Sequence, residues 1–134
     1  MIDRLAVVTI VVEDQDEAIE FYTGRLGLEL RRDETFGPGA RWVTVAPPDQ
    51  REVEIHLQAP DPELHGEEGA EQLREQVGKN PPWSFHTEDC QAAFEGLRDE
   101  GVTFVQEPEP RPYGTEAVFE DLYGNRFSLL EPAR

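Results

Sequence analysis

Glu54 and His56 stand two residues apart in Glu52-Val-Glu-Ile-His-Leu-Gln58, and Ser84 and His86 stand two apart in Trp83-Ser-Phe-His-Thr87. Both runs are short and rich in β-branched or aromatic residues, so they read as strands. Residues two apart on a strand share a face, which puts each pair of polar side chains on one side. Glu54 beside an imidazole suits general-base chemistry. Two histidines and a carboxylate, Glu54, His56 and His86, also suit a facial triad around a divalent ion. The plainer reading is that the histidines are polar lining or hydrogen-bonded strand residues and that Glu54 is solvated or paired. Arg126 and Ser128 recur at the same spacing, on the face opposite Phe127 and Leu129. Arg126 suits a ligand carboxylate or a salt bridge at the rim. With Thr9 these residues form a mixed face for a small, partly polar ligand, and Trp42, Trp83, Tyr113 and Phe119 are candidate aromatic walls, Trp83 and Phe119 being better placed in a core.

The single cysteine, Cys90, excludes an internal disulfide framework and a Cys-rich zinc site. It follows Glu88-Asp89 at a helix start, where the dipole lowers a thiol pKa and the two carboxylates raise it. A first-turn packing or surface role fits better than a nucleophile. His65 lies in an acidic, turn-rich stretch and reads as a solvated linker histidine.

The elements that position these residues follow in order. Leu5–Val12 reads as a strand, apolar on both faces and so covered on both. Asp14 or Asp16 caps a helix of about ten residues with Ala18, Ile19, Phe21, Tyr22 and Leu26 on its buried face, and Gly27 suits its C-terminal end. Strands are expected over 28–31, 41–46 and 52–58, with a turn over 36–39. Residues 59–80 form a linker carrying at most a short helix over 71–77. Then come a strand over 83–87, a helix capped by Asp89 and ended by Gly101, a strand over 102–105, a turn-rich loop over 107–114, and strands over 115–120 and 126–130. Between the last two lies Asp121-Leu-Tyr-Gly-Asn125, a tight turn in which Gly and Asn tolerate positive φ.

The order strand, helix, three strands therefore occurs twice, in repeats of about 4–58 and 81–132 joined by the linker. Asp14, Ala18 and Glu20 match Asp89, Ala93 and Glu95 at one constant separation, Gly27 matches Gly101 after a one-residue deletion, and that shifted register sets Glu54 against Ser128. The fold class is α+β: two βαβββ modules in a single domain spanning 1–134, each too small to bury its own face, with a concave surface between them.

The 134 residues carry 29 acids against 12 bases, a net charge of −17, and Lys79 is the only lysine. Such a surface repels phosphate backbones and anionic membranes. No run approaches the roughly 18 apolar residues of a membrane span, and the start of the chain lacks a signal-peptide pattern. A cytoplasmic protein is expected. Acid excess with almost no lysine further suggests a salt-rich cytoplasm, that of a halophile.

Three segments together resemble the vicinal oxygen chelate superfamily of glyoxalase I, bleomycin-resistance proteins and extradiol dioxygenases. They are Val11-Val-Glu-Asp with Ala18-Ile-Glu-Phe-Tyr and Leu26-Gly-Leu-Glu; Phe85-His-Thr-Glu-Asp with Phe94, Leu97 and Gly101-Val; and Asp121-Leu-Tyr-Gly-Asn-Arg-Phe. Leu122 and Tyr123 depart from the usual Asp-Pro-Asp-Gly-Asn turn. The resemblance implies paired modules curled around a cleft, a homodimer, and, in the metal-dependent members, a divalent ion held by four side chains and acting as a Lewis acid. Those four positions fall on Val7, Glu54, Pro82 and Ser128. Val and Pro offer no ligand atom and Ser is a weak one, so no metal cofactor is expected at the usual place. A small-molecule binder without metal is the leading expectation. A metal-dependent lyase or dioxygenase with a site relocated to Glu54, His56 and His86 is the second, and a drug-sequestering protein of the bleomycin-resistance type the third.

Overall fold

The computed structural model of the chain describes residues 1–37 and 40–134. It divides into two compact units, Met1–Val77 and Gly78–Arg134, each a four-stranded mixed sheet with helices against it.

In the first unit β1 (Val7–Val11), β2 (Glu29–Phe36), β3 (Ala40–Ala46) and β4 (Glu54–Gln58) lie in the order β1-β4-β3-β2, with β1 and β4 parallel and the other pairs antiparallel. One face buries Ile10, Val43, Val45, Ile55 and Leu57 against Ala18, Phe21 and Tyr22. The other face carries Thr9, Trp42, Thr44, Glu54 and His56. On the face that also carries Val7 and Val11, Thr9 is exposed, Val7 half-buried and Val11 buried, so the second face of β1, expected to be covered, is covered only toward the end of the strand; alternation places the apolar Ile10 inward. Helix α1 (Gln15–Ile19) is capped by the Asp14 carboxylate, which accepts from the Glu17 amide at 2.9 Å. It runs on as a π-helical stretch over Glu20–Arg25, where the Leu26 amide reaches back five residues to the Phe21 carbonyl at 3.1 Å. The Thr23 hydroxyl donates to the Ile19 carbonyl at 2.7 Å and so competes with the ordinary ladder.

Two expectations fail in this unit. The second strand was expected to stop at Arg31 but runs to Phe36, with a bulge between Leu30 and Arg32. It is the edge strand, and its charged outward residues hide the alternation that a half-buried strand shows. The expected turn over 36–39 includes Pro38 and Gly39, outside the described residues. The stretch read as a linker contains a long helix, α2 (Pro62–Gln76), bent at Gly66 with φ 75° and ψ 165°. Proline at its first turn and the Asp61 carboxylate accepting from the Glu63 amide at 3.0 Å start it. Its polar composition masked it, since only Ala70 is buried.

The second unit repeats the topology: β5 (Trp83–His86), β6 (Thr103–Arg111), β7 (Gly114–Glu120) and β8 (Arg126–Pro132) lie in the order β5-β8-β7-β6, with β5 and β8 parallel. Helix α3 (Cys90–Asp99) is capped by Asp89. Phe94, Phe104, Phe119, Phe127 and Phe85 form a chain of ring contacts in its core, centroids 4.7–6.1 Å apart. The loop expected over 107–114 is mostly strand. Pro108 and Pro110 are tolerated because β6 is an edge strand, where a missing amide costs no ladder bond.

The Asp121–Asn125 turn closes this unit by a different device from the one expected. Only Gly124 takes positive φ. Asn125 is fully buried and donates from its side chain to Asp121 Oδ2 at 2.8 Å, while Asp121 Oδ1 accepts from the amides of Tyr123 and Asn125 at 2.8 and 2.9 Å.

Candidate functional site

The strand register builds the first unit's open face in rows. Thr9 lies opposite His56, and His56 opposite Thr44. Val7 lies opposite Glu54. The His56 Nδ1 sits 3.4 Å from the Thr9 hydroxyl. Trp42, one step along β3 on the same face, lays its indole on the His56 ring with centroids 3.9 Å apart and planes 24° from parallel, a diagonal cross-strand contact. Burial pushes the His56 pKa down to about 4, and the nearby His65 adds to the effect. The stacked imidazole is therefore neutral at pH 7.

A cavity of about 310 Å³ opens beside this pair, lined among others by Phe36, Trp42, His56, Gln58, Leu64 and His65. His65, read from sequence as a solvated linker residue, belongs here. Its Nδ1 accepts from the Asp61 amide at 3.2 Å and its Nε2 meets the Gln58 side-chain amide at 3.2 Å. With Nδ1 accepting, Nε2 is the ring nitrogen left to donate, and the Gln58 amide group is the partner it meets. The sequence signal that would have found His65 is Asp61-Pro-Glu: an N-cap followed by proline at the first helical position. Arg41 also lines the cavity, but its guanidinium is held by Asp33 at 2.9 Å through two nitrogens and by Asp16 at 2.9 Å.

Glu54 is half-buried, and its Oε1 accepts from the buried Thr44 hydroxyl at 2.7 Å. In the second unit Ser84 lies opposite Ser128, and His86 opposite Leu130; Ser84 and His86 are exposed. The Ser128 hydroxyl donates to Glu116 Oε2 at 2.6 Å, and that bond is the main cause holding the Glu116 carboxyl below its usual range. Arg126 faces Glu120 at 3.6 Å, and its backbone is clasped by the Asn80 side chain at 2.7 and 2.9 Å. Phe119 and Trp83 differ in burial: Phe119 is in the core, while Trp83 is half-buried with its indole N–H unpartnered. Tyr113 is exposed and donates to Glu116 Oε1 at 2.7 Å. Cys90 is fully buried, its Sγ 3.5 Å from the Leu129 carbonyl, and burial pushes its thiol pKa up.

The register also corrects the alignment of the two repeats. Thr9 precedes its helix cap Asp14 by the same interval as Ser84 precedes Asp89, and their partners are His56 and Ser128. Ser128 thus matches His56, where the sequence alignment had set it against Glu54; the spacer between β1 and β4 differs in length from that between β5 and β8.

A family model for the glyoxalase/bleomycin resistance protein/dioxygenase superfamily matches residues 4–129. The chain belongs to this superfamily. A protein of Shewanella frigidimarina is 37% identical over 126 residues, 92% of this chain and 90% of that relative. The crystal structure of UcmS2 superposes with a TM-score of 0.87 at 48% identity, covering 98% of this chain and 99% of the other. That of TnmS3, an antibiotic binding protein from a Streptomyces species, superposes with a TM-score of 0.80 at 26% identity, covering 98% of each chain.

Superfamily enzymes that use a divalent ion need four ligating side chains, and the residues here do not fit one. Val7 is opposite Glu54 with no donor atom, Pro82 precedes β5, and the Ser128 hydroxyl is bound to Glu116. At the corrected register the first unit offers Thr9 and His56 and the second offers Ser84 and Ser128, side chains that are a poor donor set for any transition ion. Among the described residues no three His, Cys, Asp or Glu side chains are grouped as ligands.

Proposed function

We propose that this superfamily member binds a small, flat, partly polar organic molecule, of the kind typified by an aromatic antibiotic, and holds it without chemical change. The observation that supports this is the Trp42–His56 stack beside a cavity whose lining is mostly apolar and neutral polar, its Arg41 guanidinium being held by Asp33 and Asp16. A neutral imidazole and an indole present π faces without the desolvation cost of a buried charge. Gln58 and His65 supply the few directional polar groups such a pocket uses. The kinship with an antibiotic binding protein supports the same reading. Thr9 at the side of His56 belongs to this surface. The chain is proposed to act in the cytoplasm as a homodimer, the assembly that the superfamily resemblance implies.

A thermal-shift screen of planar aromatic antibiotics, run with and without EDTA, tests the proposal. A ligand at one hundred times its Kd should stabilise the protein by about 2.7 kcal/mol, equally in both buffers, and be recovered unaltered. Trp42→Ala should remove the shift, whereas Trp42→Phe should keep part of it. An undiminished shift in Trp42→Ala, or conversion of the ligand, would overturn the reading.

A further inference from the structure

We propose that the ligand carries an acidic group and that Arg32 receives it; this rests on the reading of the Trp42 face given above and narrows it to planar aromatic acids. Arg32 pairs with Thr44 across β2 and β3, and Thr44 pairs with His56. Arg32 therefore ends the row Thr9, His56, Thr44 on the open face of the first unit. A second depression of about 450 Å³ lies there, lined by Arg4, Val7, Arg32, Phe36, Trp42 and Glu54 among others. It shares Phe36 and Trp42 with the first cavity, so a flat molecule on the indole meets both.

Six arginines have no carboxylate partner among the described residues, Arg4, Arg25, Arg32, Arg51, Arg98 and Arg134, and of these only Arg4 and Arg32 line this depression. Arg31 has Glu29, Arg41 has Asp33 and Asp16, Arg74 has Glu71, Arg111 has Glu109, and Arg126 has Glu120. Arg32 has no such partner among the described residues. Glu54 lines the same depression, but its carboxylate takes the Thr44 hydroxyl. Arg4 lies there too, with one guanidinium nitrogen donating to the Glu52 carbonyl at 2.7 Å. A planar guanidinium beside aromatic walls matches a carboxylate in two parallel hydrogen bonds. The overall negative field opposes an anion, but charges farther than about 8 Å are largely screened at physiological salt, while bonding contacts are not. Glu54 adds selectivity: it repels an acid placed at its own end and accepts from a hydroxyl or amine there.

Binding of naphthalene-2-carboxylate and naphthalene-2-carboxamide, followed by calorimetry at fixed salt, tests the inference. The wild type should bind the carboxylate at least tenfold more tightly than the carboxamide. Arg32→Gln should erase that preference while leaving carboxamide affinity unchanged, Arg32→Lys should keep part of it, and Arg126→Gln should keep all of it. Equal affinities in the wild type, or a preference that survives Arg32→Gln, overturn the role of Arg32. If both probes bind equally and Trp42→Ala abolishes both, the stacking site stands and the acid receptor falls. If neither probe binds, both fall.

Discussion

His56 carries a pH signature that its neighbours explain. Its folded pKa, about 4, lies below the ordinary value of 6.5 because burial disfavours the cation and His65 adds repulsion. A histidine with a lowered folded pKa contributes stability that is present above the unfolded value and lost as pH falls through the folded one. Between about pH 6.5 and 4 the unfolded chain binds the extra proton, so the wild type should lose roughly 3 kcal/mol more than His56→Gln over that window. Urea midpoints of the two proteins measured in parallel at each pH isolate this loss from titration of the carboxylates. Parallel curves would show that the ring is solvated. Alternation alone placed His56 with Glu54 on one face, and Trp42 was legible as an aromatic wall. Their stacking was not, because it depends on the β3–β4 register, which only the paired backbone reveals. Arg126, read as an anion receptor or a rim pair, faces Glu120; a single sequence does not show which arginines lack a carboxylate neighbour.

At the scale of elements, α2 ties the cavity wall to the rest of the first unit. Its opening turn carries Leu64 and His65, and the chain bends at Gly66 with φ 75°. An L side chain at that conformation costs about 1–3 kcal/mol, while a Cβ there meets no atom within 4 Å. Gly66→Ala should therefore fold, with a stability loss of that order, and should weaken ligand binding by shifting His65 from its bonds to Asp61 and Gln58. The urea midpoint and the ligand Kd of the variant measure the two effects separately. Binding unchanged beside a lowered midpoint would show that the turn does not hold the wall. Gly78 differs: at φ 77° a Cβ would run into the Tyr123 carbonyl, so its substitution damages the second unit itself. The strands and both module helices were readable because their apolar residues recur with period and their caps are aspartates. α2, the far half of β2 and the far half of β6 were not, since each is polar or proline-bearing and lies at an edge or surface where burial leaves no pattern in the sequence.

For the whole molecule, order of elements rather than residue identity made the superfamily legible, and the same order left the ligand open because one scaffold hosts several functions. Net charge is a property of the whole chain too, and it yields a prediction independent of any ligand. The 29 acids exceed the 12 bases, and several bases are already held by carboxylates close in sequence, as in Arg31–Glu29, Arg74–Glu71 and Arg111–Glu109. The unmatched carboxylates repel one another more in the compact state than in the extended one. Raising KCl shortens the screening length from about 10 Å at 0.1 M to about 3 Å at 1 M, which removes most of that repulsion while scarcely touching the buried strand cores. The melting temperature should rise by several degrees over this range. Because screening depends on ionic strength and not on ion identity, choline chloride should act as KCl does, whereas sulfate would add surface exclusion and confuse the comparison. A variant with four exposed acids neutralised, Glu67→Gln, Glu68→Gln, Glu75→Gln and Glu95→Gln, should melt higher in dilute buffer and gain less from salt. A flat salt response in the wild type would mean that the excess charge is already dispersed widely enough to cost the fold nothing.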